Sequence, residues 1–155
     1  MPDVNANVRR FENGGTLEIN DGTARNVLNI VAGSLEWTPA FRERIVFKDR
    51  GVIQTPKLGD DMVSEVSCTV RTGKFAGATE LYAILMAAGT GDAPKLFATT
   101  TIKIPDSRGA ATGESLTWTN AWLAEAPTYK AGGEGELDTL SFKLQCGAGP
   151  AAATY

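Results

Sequence analysis

Hydrophobic and polar residues alternate with a period of two along much of this chain, which is the signature of half-buried β-strands. The clearest run is Met62–Arg71. Met62, Ser64, Val66, Cys68 and Val70 fall on one face, and Glu65, Ser67, Thr69 and Arg71 on the other. Asp138–Cys146 repeats the pattern, with Leu140, Phe142, Leu144 and Cys146 opposed to Thr139, Ser141, Lys143 and Gln145. Shorter stretches agree: Leu17 and Ile19, Leu35 and Trp37, and Phe41, Ile45 and Phe47 set against Arg42, Arg44 and Lys48. Leu116, Trp118 and Trp122 share a face against Ser115, Thr117 and Thr119, and Phe97–Ile104 is rich in Thr and Ile, which favour strand. Turn signals fall between these runs. Asn13-Gly14-Gly15 separates Val8–Glu12 from Thr16–Asn20, Asp21-Gly22 closes the next run, and Pro105-Asp106, Gly109–Gly113 and Gly132-Gly133-Glu134-Gly135 break the later ones.

One stretch has helical spacing instead. From about Ala78 to Ala88, Leu81, Ile84, Leu85 and Ala88 stand at i, i+3, i+4 and i+7. Glu80 is placed in the first turn, where the helix dipole favours an acid, and Gly89 follows as a stop. The expected fold is mainly β, a β-sandwich or barrel with one helix packed on it. Its 155 residues, 43% of them hydrophobic, suit one domain with a real core. Two segments stand outside that plan. Residues 48–61 form a long loop carrying Gly51, Pro56 and Gly59, and residues 147–155 form a Gly/Ala/Pro-rich tail ending in Tyr155. Residues 1–7 read as an N-terminal arm.

Composition narrows the chemistry. With 15 basic and 18 acidic residues the net charge is −3, which is no footprint of a nucleic-acid-binding domain. There is no histidine, so Ser-His-Asp and Cys-His mechanisms are excluded, and two cysteines cannot make a four-ligand zinc site. Cys68 and Cys146 both sit on apolar faces and read as buried, unpaired thiols. No apolar run approaches a membrane span, and the start of the chain lacks the basic-then-apolar order of a signal peptide, so synthesis in a cytoplasm is expected. Gly89-Thr90-Gly91 lacks the rest of a phosphate loop, Asp60-Asp61 reads as a solvated turn, and Arg9-Arg10 beside Phe11 as a hairpin face or subunit contact. Trp118 and Trp122, on one face, are core or interface residues, or else a stacking platform for sugars. No catalytic residue, cofactor site or metal site is indicated, so function is expected to reside in surfaces.

The order of these elements resembles the major tail tube protein of long-tailed, non-contractile (siphovirus-type) bacteriophages, a family that shares its fold with contractile-tail tubes and with the type VI secretion tube protein. The resemblance is carried by Gly33-Ser34-Leu35-Glu36-Trp37, the loop Lys48–Asp61, the strand Met62–Arg71, the helix Thr79–Ala88, the strand Leu96–Ile104, Ile104-Pro105-Asp106-Ser107-Arg108-Gly109 and Gly135–Phe142. It implies homohexameric rings stacked into a hollow tube in the virion tail, made in the host bacterial cytoplasm. It further implies tape-measure, terminator and tail-tip partners, and DNA passing down the lumen without specific binding. The implied subunit-contact residues are Asp49, Gly51, Val52, Ile53, Pro56, Leu58, Asp60 and Asp61 in the loop, and Tyr155 in the tail. The lumen candidates are Glu65, Ser67 and Thr69 on one strand and Thr99, Thr101 and Lys103 on another. The competing readings are another virion assembly protein, such as a tail terminator or head decoration protein, and a carbohydrate-binding β-sandwich; an enzyme is the most distant.

Overall fold

The computed structural model describes residues 15–53, 55–72, 77, 80–105 and 113–154. The N-terminal arm, Arg9-Arg10, the Asn13-Gly14 turn, most of the 104–109 motif and Tyr155 lie outside the described residues. β1 (Thr16–Asn20) and β2 (Arg25–Asn29) form a hairpin. The Asp21-Gly22 signal works through its carboxylate: Asp21 Oδ1 accepts from the Thr23 and Ala24 amides at 2.8 and 2.6 Å, and these bonds hold its pKa below the ordinary aspartate value. Then come β3 (Glu36–Thr38), four strands of a projecting arm, β8 (Ser64–Arg71), the helix α1 (Leu81–Leu85), β9 (Phe97–Pro105), β10 (Gly113–Leu123), β11 (Thr128–Lys130), β12 (Thr139–Cys146) and β13 (Ala151–Thr154).

All pairings in the main sheet are antiparallel, in the order β2-β1-β9-β10-β12-β8-β3, with β11 added to β12 and β13 to β10. The sheet folds onto itself. An antiparallel bridge from Ile30, just past β2, to Val70 of β8 closes it into a barrel-like sandwich. The turning point is in β10. Asn120 adopts φ +56°, a left-handed conformation in which Asn is among the better-tolerated non-glycine residues. Before it Trp118 is buried opposite Thr100, and after it Ala121 is buried opposite Phe97, so both strands change face together across a three-residue step. Beyond the corner β10 leaves β9 and pairs with β12 through Trp122 and Leu123. A strand that switches sheets at such a bend is how orthogonal sheet packings turn their corners.

The corner also explains a departure from the sequence pattern. Trp122 lies opposite Gln145, on the outer face, and does not share the Trp118 face. Trp118 is fully buried, so the two rings form no sugar-stacking platform. The expected strand 62–71 begins at Ser64, because Met62 belongs to the arm.

The two inner faces make one core. Leu17, Ile19, Ile102 and Trp118 from one half meet Val66, Val70, Leu140 and Leu144 from the other, and each buried aliphatic contributes about 1.5–3 kcal/mol. Both cysteines are buried and free. Cys68 lies opposite Phe142 and Cys146 opposite Ser64, four residues apart along paired strands, too far for a disulfide. Burial pushes the Cys68 thiol up to about 12. Cys146 Sγ donates to the Thr119 carbonyl at 3.0 Å.

The helix is shorter than its spacing suggests. It covers Leu81–Leu85, with Glu80 extended at the N-cap rather than inside the first turn and making no side-chain cap, while Ala78 and Thr79 lie outside the described residues. Leu81, Ile84 and Leu85 are buried as expected, but Ala88 is exposed. The chain doubles back at Gly89, where a Cβ would stand 1.8 Å from the Ala93 carbonyl oxygen. One turn this short is held by packing, not by propensity.

Candidate functional site

The segment expected as a loop is instead a built projection. β4 (Phe41–Ile45) pairs with β7 (Lys57–Met62), and further out β5 (Lys48–Asp49) pairs with β6 (Val52–Ile53). The tip is a two-residue turn, Arg50-Gly51, with φ of 49° and 81°. Two consecutive positive φ values define a type I′ turn, the form whose twist matches that of a hairpin.

The surface of this arm interleaves large apolar side chains with charged ones, where a solvated hairpin would be polar. Phe41, Ile45, Val46, Phe47, Val52, Leu58, Met62 and Val63 are all exposed, Val52 and Met62 at 61% and 60%. Local contacts keep its shape. Arg42 ion-pairs with Asp61 at 2.9 Å and donates to the Gly59 carbonyl at 3.1 Å. The Arg44 guanidinium stands 4.4 Å from the Phe41 ring centre, and Lys57 Nζ 5.8 Å from that of Phe47. Ile45 and Glu43 lie over Gly59, where an added Cβ would stand 2.9 Å from Ile45 Cδ1 and displace the end of that side chain. A two-stranded hairpin is at best marginally stable in water, so this one calls for a partner.

The root of the arm is fixed firmly. Ser64, fully buried, donates its hydroxyl to the Thr38 carbonyl at 2.8 Å and accepts from Trp118 Nε1 at 3.0 Å. Thr38 and Ser64 flank the two feet of the arm, so this chain of bonds ties both to the sheet corner. Trp37 packs edge-on against Trp118, ring centres 6.2 Å apart.

All the expected contact residues except Tyr155 lie among the described residues. Asp49, Gly51 and Val52 lie at the tip with Ile53; Pro56 precedes β7; Leu58, Asp60 and Asp61 lie along β7, exposed. The pattern missed the other half of the arm: Phe41, Ile45 and Phe47 alternate like core residues but face solvent. The tail is also more than dangling chain. β13 adds to β10, with Ala151 opposite Thr117 and Ala153 opposite Ser115.

The two lumen candidate sets are not brought together. Glu65, Ser67 and Thr69 are on the outer face of the β3-β8-β12 half, where Glu65 accepts from Gln145 at 2.7 Å and pairs with Lys143 at 3.3 Å, contacts that lower its pKa. Thr69 hydrogen-bonds Ser141 at 2.8 Å. Thr99, Thr101 and Lys103 are on the outer face of the β2-β1-β9-β10-β13 half, across the core. There they join Thr16, Glu18 and Asn20 on one side and Ser115, Thr117 and Thr119 on the other, with Thr101 and Thr117 hydroxyls 3.2 Å apart and Glu18 paired with Arg25 at 2.8 Å. Among the described residues no strand pairs with the outer edge of β13, and along Arg25–Asn29 none pairs with that of β2. No group of three or more His, Cys, Asp or Glu among the described residues could hold a metal ion, and no described helix is long and apolar enough to cross a membrane.

No protein-family model matches the sequence, and no curated protein does. Solved structures do match over nearly the whole length. A chain of the sheath–tube complex of the extracellular contractile injection system PVC, in its extended state, aligns at TM-score 0.59 with 14% identity, covering 97% of this chain and 93% of its own. The PVC sheath/tube terminator aligns at 0.54 with 17% identity, covering 90% and 91%. The tube-terminating cap of the anti-feeding prophage aligns at 0.60 with 12% identity, covering 93% and 89%. The fold is therefore tail-tube-like.

Proposed function

We propose that this chain is a structural subunit that self-assembles into stacked rings, hexameric as in the tail tubes it resembles, forming the hollow tube of a phage-type tail. The observation that carries this reading is the arm: a hairpin that leaves large apolar side chains exposed among its charged ones, standing out from a tail-tube-like fold. Arm and sheet edges divide the work. The edges of β2 and β13, which no described strand covers along Arg25–Asn29 and Ala151–Thr154, join neighbouring subunits around a ring, which satisfies their backbone groups, while the arm reaches beyond its own subunit. Contact between unlike surfaces closes into rings or propagates as filaments.

The lumen is assigned to the outer face of the β2-β1-β9-β10-β13 half, with Thr99, Thr101 and Lys103, because among the described residues no strand covers either of its edges along Arg25–Asn29 and Ala151–Thr154, and its β9 and β10 strands present mainly hydroxyls. DNA passes such a wall with few phosphate contacts to grip it. The protein has no catalytic task in this reading. Its partners are copies of itself and the tape-measure, terminator and tail-tip proteins of a virion made in a bacterial cytoplasm. Non-contractile assignment rests on the sequence resemblance, whereas the solved neighbours come from contractile and related injection assemblies.

Because two of those neighbours are a tube terminator and a terminating cap, termination is the second reading. Negative-stain microscopy of the purified protein separates the two. A tube subunit gives rings and tubes that lengthen with concentration, whereas a terminator gives single rings that do not stack. Replacing residues 46–56 by Asn-Gly, between the paired Ile45 and Lys57, leaves a short hairpin; the shortened protein is expected to fold and not to polymerise.

A further inference from the structure

We infer that a groove beside α1 is the receptor for the arm of a second copy of this chain, an inference that rests on the tube reading above. The groove lies between the end of α1 and the segment entering β9. Leu85, Met86, Ala87, Pro94, Lys95 and Leu123 line it, around a cavity of about 270 Å³. The turn at Gly89, which admits no side chain, creates it by folding residues 93–95 back against the helix end.

Three observations select the arm as occupant. The first is complementary apolarity. Away from the arm and its root, the exposed large apolar side chains are Val27, Leu137, Met86 and Leu96, and the last two, at 51% and 47%, flank this groove. The second is charge. The outer arm carries Lys48, Arg50 and Lys57 against Asp49. Beside the groove are Asp92 and Asp21, the latter close enough to Lys95 to feel its charge. With Lys95 in the groove itself, a tip of three bases and one acid meets a rim of two acids and one base, and opposite net charges steer and register a contact. The third is reach. Ten residues separate Phe41 from Arg50 inclusive, and an extended strand at about 3.3 Å per residue spans roughly 30 Å, about the diameter of a small domain. An arm that long clears its own subunit and lies across a neighbour. The contact joins two different surfaces, so each subunit gives one arm and receives one, and the series continues without limit.

Cross-linking and charge variants test this in the full chain. Val52→Cys with Met86→Cys, oxidised after assembly, should give a covalent ladder on a non-reducing gel, since each chain links to two others; neither single variant should. The native thiols are buried and do not compete. Met86→Glu, at an exposed site that leaves the melting temperature unchanged, should raise the critical concentration for assembly by about tenfold or more, the loss expected of a side chain at the centre of an interface. Lys48→Glu with Arg50→Glu should weaken assembly, and Asp92→Lys added to them should restore part of it. If the arm-shortened protein fails to polymerise while Met86→Glu polymerises normally and no ladder forms, the groove is not the receptor and the tube reading stands. If the unaltered chain never forms rings or tubes, the tube reading falls and takes the receptor with it.

Discussion

Ser64→Ala isolates the bond that fixes the arm to the body. The hydroxyl accepts from Trp118 Nε1 at 3.0 Å and donates to the Thr38 carbonyl at 2.8 Å. Thr38 is exposed, so its carbonyl recovers a water. Trp118 is fully buried, and its N–H would lose the acceptor it now has. An orphaned buried donor costs about 1–3 kcal/mol, so a loss near 2 kcal/mol is expected. For a chain of this size that lowers Tm by roughly 4–8 °C. Trp118→Phe removes the donor, and once it is gone the Ser64 hydroxyl has little left to lose. The double variant should therefore be less damaged than the sum of the singles by about 1–2 kcal/mol. Urea unfolding followed by far-UV circular dichroism, below the concentration for assembly, measures all four corners of the cycle. A Ser64→Ala loss under about 0.5 kcal/mol, or additivity within the same margin, would refute the view that this chain of bonds anchors the arm.

Four further outcomes follow from the geometry. Thr100→Val should stabilise the protein by about 1 kcal/mol by removing a buried hydroxyl that has no hydrogen-bond partner, read as a rise in urea midpoint. Gly89→Ala should destabilise it, because the new methyl has no place beside the Ala93 carbonyl; an unchanged midpoint would contradict the doubled-back chain. Asp138 accepts from the Tyr129 hydroxyl and the Gly132 amide, which hold its pKa below the ordinary value near 3.8. A depressed carboxyl stabilises the fold fully above its unfolded pKa and ceases to do so as pH falls through the folded one, so Asp138→Asn should flatten the stability curve below about pH 4 and leave its shape unchanged near neutrality. In assembled tubes, Thr101→Lys with Thr117→Lys should raise DNA affinity with a steep salt dependence, and Ser67→Lys with Thr69→Lys should not; the reverse result would put the opposite face on the channel.

Much of this architecture was legible from period-two alternation alone. β1, β8 and β12 read correctly because each packs one face on a single core, so polarity alternates strictly. The reading broke where that condition fails. At Asn120 the strand turns a corner and parity shifts, which moved Trp122 off the Trp118 face. Along β4, Phe41 and Ile45 have the rhythm of a core strand but no core beneath them, and a pattern of hydrophobicity does not distinguish burial in one's own chain from burial in a neighbour. The helix was found by its buried face, but it ends at Leu85, before the Gly89 stop, because the chain beyond it folds residues 93–95 back onto Gly89. The tail offered no apolar pattern because an alanine edge strand is held by backbone hydrogen bonds, which are blind to side chain. The two polar faces were each visible; that they lie across the core from one another depends on sheet order, which alternation does not contain.

The two thiols bear on durability. On the proposed function, a particle assembled under reducing conditions and then released would meet oxygen and peroxide, and exposed cysteines would be converted stepwise to sulfenic and higher acids or would weld neighbouring particles together. Reaction requires the thiolate, and burial that holds Cys68 near 12 leaves almost none of it at neutral pH. Cys146 is buried as well, its Sγ–H directed at the Thr119 carbonyl. A lattice built of many copies of this subunit would multiply every reactive site by the copy number. With both thiols inside the barrel, oxidation of sulfur among the described residues falls to Met62 and Met86, exposed on the surfaces where subunits are proposed to meet.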